Sequence, residues 1–329
     1  MQNRLRIAGL TLLVLASVVA LTVSGCRRNA SQGVVHIARF EQMLIDTPDE
    51  VLKDSLVAFA NRYPTPLLRI YPDDEQFMAM VMDYRADSVA HMVSDTVQRY
   101  MGDLSWIERD LYEALAHAYK LDTNITCNVF VTYISNAGYS NRVAADRDSR
   151  SLTISIDEYV TQHMQPYGYF GEPLYIVRLC DPVHIAPDCM AALVRQHILL
   201  PDAEMTLLDY IVAEGKVQYF LHKVFPRTAD STLFRYTDSQ IEWMEANEAN
   251  VWGYFVQKKM LYSHDYGRLR NFVEDAPKTN AFQESAPRTV EYIGYQMIKR
   301  YVKKSGVSFH QLLEETDAQK ILYESGYRP

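Results

Sequence analysis

The sequence predicts an α+β fold, predominantly helical, in which one small antiparallel sheet packs with several helices. Two observations carry this. Apolar residues recur at helical spacing in long stretches on both sides of residues 125–157, and only inside that stretch does the period drop to two. The order is therefore helices, sheet, helices, which separates the chain from a βαβ alternation.

The elements follow in order. Thr47-Pro48-Asp49-Glu50 has the form of a capping box with proline at the first helical position, and starts a helix to about Arg62. Residues 74–101 read as helical. Ser105-Trp106-Ile107-Glu108 repeats the capping pattern before a helix to about Tyr119, with Ile107, Leu111, Leu115 and Ala118 on one face. Ile125, Cys127, Val129, Val131 and Tyr133 then alternate with Thr126, Asn128, Phe130 and Thr132, the pattern of a strand. Leu152, Ile154 and Ile156 alternate with Thr153, Ser155 and Asp157 in a second. On such a strand the adjacent carboxylates Asp157 and Glu158 point to opposite faces and cannot act as a pair. Helices are predicted at about 188–200, 204–223, 238–262, 288–304 and 308–315, the third capped by Thr237 with Gln240.

The first residues have a different task. Arg4 and Arg6 precede an almost uncharged apolar core, Ile7 to Val23, which ends in Val23-Ser24-Gly25-Cys26. Positive residues resist translocation while the apolar core enters an export channel, so residues 1–25 read as a signal peptide. The ending resembles the bacterial lipobox, which implies cleavage before Cys26 and lipid attachment to its thiol. A lipid at that position holds a protein on a membrane without a spanning helix. Neither an aspartate after Cys26 nor an acidic run follows, so the lipoprotein pattern implies an outer-membrane location facing the periplasm. Residues 26–33 form a short tether, and residues 34–329 one globular body without a Pro/Gly/Ser-rich linker, its helical part at 34–120 and the remainder at 121–329.

Composition narrows the partners. The formal charge of −8 becomes −10 once Arg4 and Arg6 leave with the signal. An acidic surface without a basic cluster excludes nucleic acid as a natural partner. The membrane is reached through the anchor. Cys180 and Cys189 bracket a segment with two prolines, and the spacing is compatible with a periplasmic disulfide or with two buried thiols. The 23 tyrosines raise the alternative of a tyrosine-lined groove for a glycan or peptide.

One constellation bears on catalysis. The stretch from Leu208 to Phe220 contains Glu214-Gly215 followed by Tyr219 in an apolar helix. It resembles the helix that supplies the third zinc ligand in zincin metallopeptidases of the gluzincin type. The preceding helix of such enzymes carries His-Glu-x-x-His, because that spacing sets both imidazoles on one face. If His197 stands for the second histidine, Leu193 and Val194 stand for the first histidine and the general base, and neither can bind metal or move a proton. A catalytic zinc needs three protein ligands and a water. The resemblance thus implies a degenerate zincin-like scaffold without a resident metal or cofactor, in which His197, Glu214 and His184 are vestigial candidates. The rival reading is a periplasmic metallopeptidase with those three as a non-standard ligand set.

A broader likeness runs through the chain. Glu214-Gly215-Lys216-Val217-Gln218-Tyr219-Phe220, Trp243 with Asn247-Glu248 and Trp252, Leu261-Tyr262-Ser263, Ala286-Pro287-Arg288, Tyr292-Ile293-Gly294-Tyr295-Gln296 and Asp317-Ala318-Gln319-Lys320-Ile321-Leu322 occur in that order. With His36-Ile37-Ala38-Arg39-Phe40 near the start, they resemble the gliding-motility lipoprotein GldB family of Bacteroidetes. The resemblance implies a non-catalytic envelope lipoprotein acting with other envelope or motility proteins.

Overall fold

Among the described residues, four short strands make one mixed sheet in the order β1-β2-β4-β3. They are β1 (Ile37–Arg39), β2 (Val129–Tyr133), β3 (Val143–Asp146) and β4 (Ser151–Ser155). The computed structural model describes residues 35–135, 142–164 and 173–329. Cys26 and the signal segment lie outside them. His36–Pro329 cluster as one compact unit.

The α+β, predominantly helical class holds, but the sheet is not the antiparallel one expected. β2 runs parallel to both β1 and β4, and only β3 pairs antiparallel with β4. The reason lies in β1. Three residues are too few to show a period of two, so the sequence offers no sign of the strand that begins the sheet. Its parallel pairing with β2 requires a long crossover. Five helices supply it: α1 (Phe40–Asp46), α2 (Asp49–Arg62), α3 (Glu75–Ala86), α4 (Ser88–Met101) and α5 (Ser105–Leu121). β4 is buried along its whole length, including Ser151, Thr153 and Ser155, so its alternation does not mark one wet face. That is the usual condition of a strand covered on both sides.

Of the caps expected at Thr47, Ser105 and Thr237, only the last forms as read, and one long helical run is divided. Thr47 does not cap α2; its hydroxyl donates backwards to the Met43 carbonyl at 2.6 Å, and Pro48 takes the cap position. Ser105 lies inside α5, and Glu108 accepts the Ile37 amide at 2.8 Å, so its carboxylate ties the helix to β1. The helical run at 74–101 is broken at Asp87. Its extended backbone and its carboxylate, which accepts the Val89 amide at 2.8 Å, end α3 and start α4.

After the sheet come a 3₁₀ segment (Ile156–His163), α6 (Leu174–Leu179), a 3₁₀ turn (Pro182–His184), α7 (Ile185–Arg195), α8 (Leu207–Val224) and α9 (Asp230–Phe234). α10 (Asp238–Gln257), α11 (Tyr266–Val273), α12 (Thr289–Ser305), α13 (Phe309–Glu314) and α14 (Ala318–Ser325) complete the chain. Reciprocal capping boxes hold α8 (Thr206 with Asp209), α10 (Thr237 with Gln240) and α13 (Ser308 with Gln311).

α8 and α12 make the tightest helix contact, and two glycines explain it. A Cβ on Gly294 would fall on the Ile211 carbonyl oxygen, and a Cβ on Gly215 would fall on the Gly294 backbone. Only hydrogen lets the two backbones approach so far. The Gly of the Glu214-Gly215 pair is thus a packing residue. α8 is buried on most of its circumference, Lys216 included, whose Nζ donates to the Glu315 carbonyl at 2.6 Å.

Candidate functional site: an arginine-lined cavity

α7 divides its residues between two environments. Ile185, Cys189, Met190, Leu193 and Val194 enter the core, while Pro187, Asp188, Ala191, Ala192 and Arg195 face a cavity of about 320 Å³. The positions 188, 191, 192 and 195 are those that helical spacing places on one face. α8 contributes Val217, Gln218 and Leu221 to the opposite wall. Arg235 after α9, Asp275, and Arg288 with Glu291 at the start of α12 close it, and Arg142 stands where β3 begins.

Four arginines therefore share one small space with three carboxylates. Arg235 pairs with Asp188, whose other oxygen accepts the Tyr159 hydroxyl at 2.6 Å. Arg288 donates to the Phe234 carbonyl at 2.7 Å and lies 3.1 Å from Asp275 and 3.4 Å from Glu291. Gln218 donates to Glu291 at 2.9 Å. Arg142 donates to the Leu179 carbonyl at 2.8 Å. Arg195 meets Glu214 in a two-pronged pair of 2.6 and 2.7 Å, the geometry in which a guanidinium matches a carboxylate best.

Electrostatics shows how crowded this is. Burial, with Arg142 and Arg288 beside it, pulls the Arg235 guanidinium down to about 10. Burial raises the Glu291 carboxyl above its ordinary range, against the pull of Arg288. Glu214 holds Arg195 still more firmly protonated than usual. The backbone is strained in the same place. Arg235 (φ 55°) and Arg288 (φ 44°) both occupy the left-handed region. An L residue there costs about 1 kcal/mol or more, and such strain clusters at binding and catalytic sites. In both cases the bend delivers an arginine side chain into the cavity wall.

The three residues singled out as vestigial metal ligands do not come together. Glu214 is engaged by Arg195. His197 is buried at the end of α7, its pKa lowered by burial and by Arg147, with Asp122 acting the other way. His184 is buried behind the arginines; burial first, then Arg235, Arg142 and Arg288, push its pKa down to about 3. Among the described residues no three His, Cys, Asp or Glu side chains are grouped so as to hold a metal ion. The register also differs from expectation. Leu193 and Val194 are core residues, and the positions with i, i+1, i+4 spacing that face the cavity are Ala191, Ala192 and Arg195, two residues earlier.

One further expectation needs correction, and two alternatives the sequence left open can be set against the fold. Cys180 and Cys189 are separate buried thiols, not a disulfide. Cys180 ends α6, with its thiol 3.4 Å from the Ile176 carbonyl, whereas Cys189 points into the core under α7, where burial and neighbouring Cys127 push its pKa up. Asp157 and Glu158 lie in the 3₁₀ segment, not on a strand, and its tighter winding lets the Ser135 hydroxyl lie 3.2 Å from a carboxylate oxygen of each. Among the described residues the tyrosines are dispersed: Tyr159, Tyr236, Tyr301 and Tyr327 are buried, Tyr71, Tyr119 and Tyr323 are exposed at separate places along the chain, and none of these is in the cavity lining.

A family model described as gliding motility protein GldB matches residues 27–329. The chain belongs to the GldB family. The match takes in the cavity and both helices of the Arg195–Glu214 pair, so this site lies within the part that GldB relatives define. It also fits attachment to the envelope through a lipoprotein amino terminus, and no helix of the described residues is long and apolar enough to cross a membrane. No curated protein and no solved structure matched the chain. Of the cavity residues, Arg288 stood in the Ala286-Pro287-Arg288 segment that carried the GldB likeness; Arg142, Arg235 and Asp275 carried no signal, since they sit in turns and at element ends, where no periodicity operates.

Proposed function

We propose that this GldB-family protein is a non-catalytic lipoprotein of the outer membrane. Its acylated Cys26 anchors it, its body faces the periplasm, and it acts by binding other envelope or motility proteins. The observation that carries the reading is the Arg195–Glu214 pair. Where a gluzincin-type site would need Glu214 free to bind zinc, a guanidinium takes both carboxylate oxygens. The cavity-facing positions one turn before Arg195 are Ala191 and Ala192, whose methyl groups offer neither a ligand nor a base. A positive charge on that carboxylate also repels a divalent cation.

The rival, a periplasmic metallopeptidase using His184, His197 and Glu214, needs three side chains that sit against different neighbours to converge. Metal content of the full chain, purified in detergent without chelator or affinity tag, decides between them. The expected result is no stoichiometric metal. Near-stoichiometric zinc that disappears in Glu214→Ala or His197→Ala would overturn the proposal.

A further inference from the structure

We propose that the arginine-lined cavity binds the free carboxyl end of a peptide chain whose last residue is small and apolar. The inference rests on the binding role proposed above and names its chemistry.

Three features of the cavity lead there. First, Arg142, Arg235 and Arg288 line one cavity, where burial has stripped the Arg235 guanidinium of much of its water and Arg142 and Arg288 repel it. The wall carboxylates offset part of that cost and an entering anion offsets more, and guanidinium groups match carboxylates in planar, paired hydrogen bonds. Second, Asp188, Asp275 and Glu291 are in the same walls, so the lining is close to neutral. A doubly charged group such as phosphate would face three carboxylates, while a single carboxylate would not be over-matched. Third, the remaining lining is aliphatic: Val143, Val217, Leu221 and Leu233, with Ala191 and Ala192 leaving open room. Among the described residues the lining holds no aromatic ring, and its aliphatic side chains suit a methyl-sized group. About 320 Å³ accommodates one or two residues of such a chain, at the lower end of ligand-site volumes. Gln218 and Glu291, hydrogen-bonded to each other on the α8 and α12 walls, are placed to receive the peptide groups behind the carboxylate.

Arg235 is the residue that this assigns most directly. It pairs with one carboxylate, Asp188, and its side chain, 18% exposed, is part of the cavity lining. The left-handed backbone at that position ends α9, its amide donating to the Thr232 carbonyl at 3.2 Å, and the same turn sets the guanidinium in the cavity wall.

The test is calorimetric titration of the full chain in detergent micelles with N-acetyl-trialanine, its carboxy-terminal amide, and glucuronate. The expected result is saturable binding of the acid, weakened at least tenfold for the amide, and lost in Ala192→Leu, which fills the cavity without removing a charge. Arg235→Lys is the second variant, expected to weaken the acid while leaving the amide unchanged. Thermal unfolding close to that of the unaltered chain establishes that each variant is folded. Equal binding of acid and amide, no binding of either, or glucuronate binding at least as tight and equally sensitive to Ala192→Leu would overturn the proposal. Stoichiometric zinc would remove the non-catalytic reading and leave this result standing, so the two can fail separately.

Discussion

Acidification from pH 6.5 to pH 5 destabilises this fold through one buried imidazole. His184 is 8% exposed and lies behind three arginines, and its pKa falls from 6.5 to about 3 on folding. The folded value is the lower one, so the unfolded chain takes up the proton first, and protonation favours unfolding. The stabilisation from the neutral ring is fully present above 6.5 and is lost progressively as the pH falls towards 3. Each pH unit inside that window is worth about 1.4 kcal/mol, so the step to pH 5 costs about 2 kcal/mol. Replacement His184→Gln keeps a polar side chain and removes the titration. Urea unfolding followed by tryptophan fluorescence at pH 7 and pH 5 measures both proteins. His197 and His222 are also lowered by burial and act in the same direction, but they are present in both and cancel in the difference. The variant is expected to lose about 2 kcal/mol less than the unaltered protein. Equal losses would refute the argument that burial, with the arginines beside it, holds His184 neutral.

Other outcomes follow from packing and pairing. Gly294→Ala drives a methyl group into the Ile211 carbonyl and is expected to cost about 3 kcal/mol or more, whereas Gly253→Ala, with open space around it in α10, is expected to stabilise by about 0.5–1 kcal/mol; thermal melts compare the two. A double-mutant cycle on Arg195→Met and Glu214→Leu is expected to give a coupling of about 1–2 kcal/mol, discounted for the 45% exposure of the Arg195 side chain. Zero coupling would mean that the pair does not hold α7 to α8. Thiol titration of the denatured, unreduced protein is expected to leave Cys180 and Cys189 both reactive, and a linked peptide containing the two would contradict their separate burial. Between pH 8 and 10.5 the buried Lys216, pulled down to about 8, binds fewer protons folded than unfolded. It therefore adds stability as the pH rises, and that contribution is expected to vanish in Lys216→Met when urea unfolding is compared at pH 8 and pH 9.5.

How far the molecule was legible in its sequence depended on the kind of signal each part carried. The long helices were visible because their caps and apolar stripes are local: Thr237 with Gln240 fixes the start of α10 from residues three apart. The sheet was visible as strands but not as topology. β1 is three residues long, and what pairs it with β2 is a crossover of five helices, which no local pattern records. Glu214 stood out because it sits in an apolar helix, but its partner Arg195 did not. Identifying Arg195 required knowing which face of α7 looks inward, and the presence of His197 pulled the register two residues too far along. The remaining arginines were out of reach for a simpler reason. Arg142, Arg235 and Arg288 lie at element ends, and they meet only because α9, α12 and the sheet converge.

The crossing of α8 over α12 has one further consequence. Where Gly215 meets Gly294, two main chains touch directly, so neither helix can roll or slide without separating the other. Gln218 and Glu291 stand about one turn away on either side of that contact, and the wall they form behaves as an anvil. Whatever enters the cavity must fit that surface as it stands. Any adjustment falls to the opposite side, to α7 and the residues around Arg142 and Arg235. Amide hydrogen exchange should register the asymmetry as slow exchange along the crossing and a ligand-dependent change confined to the facing wall.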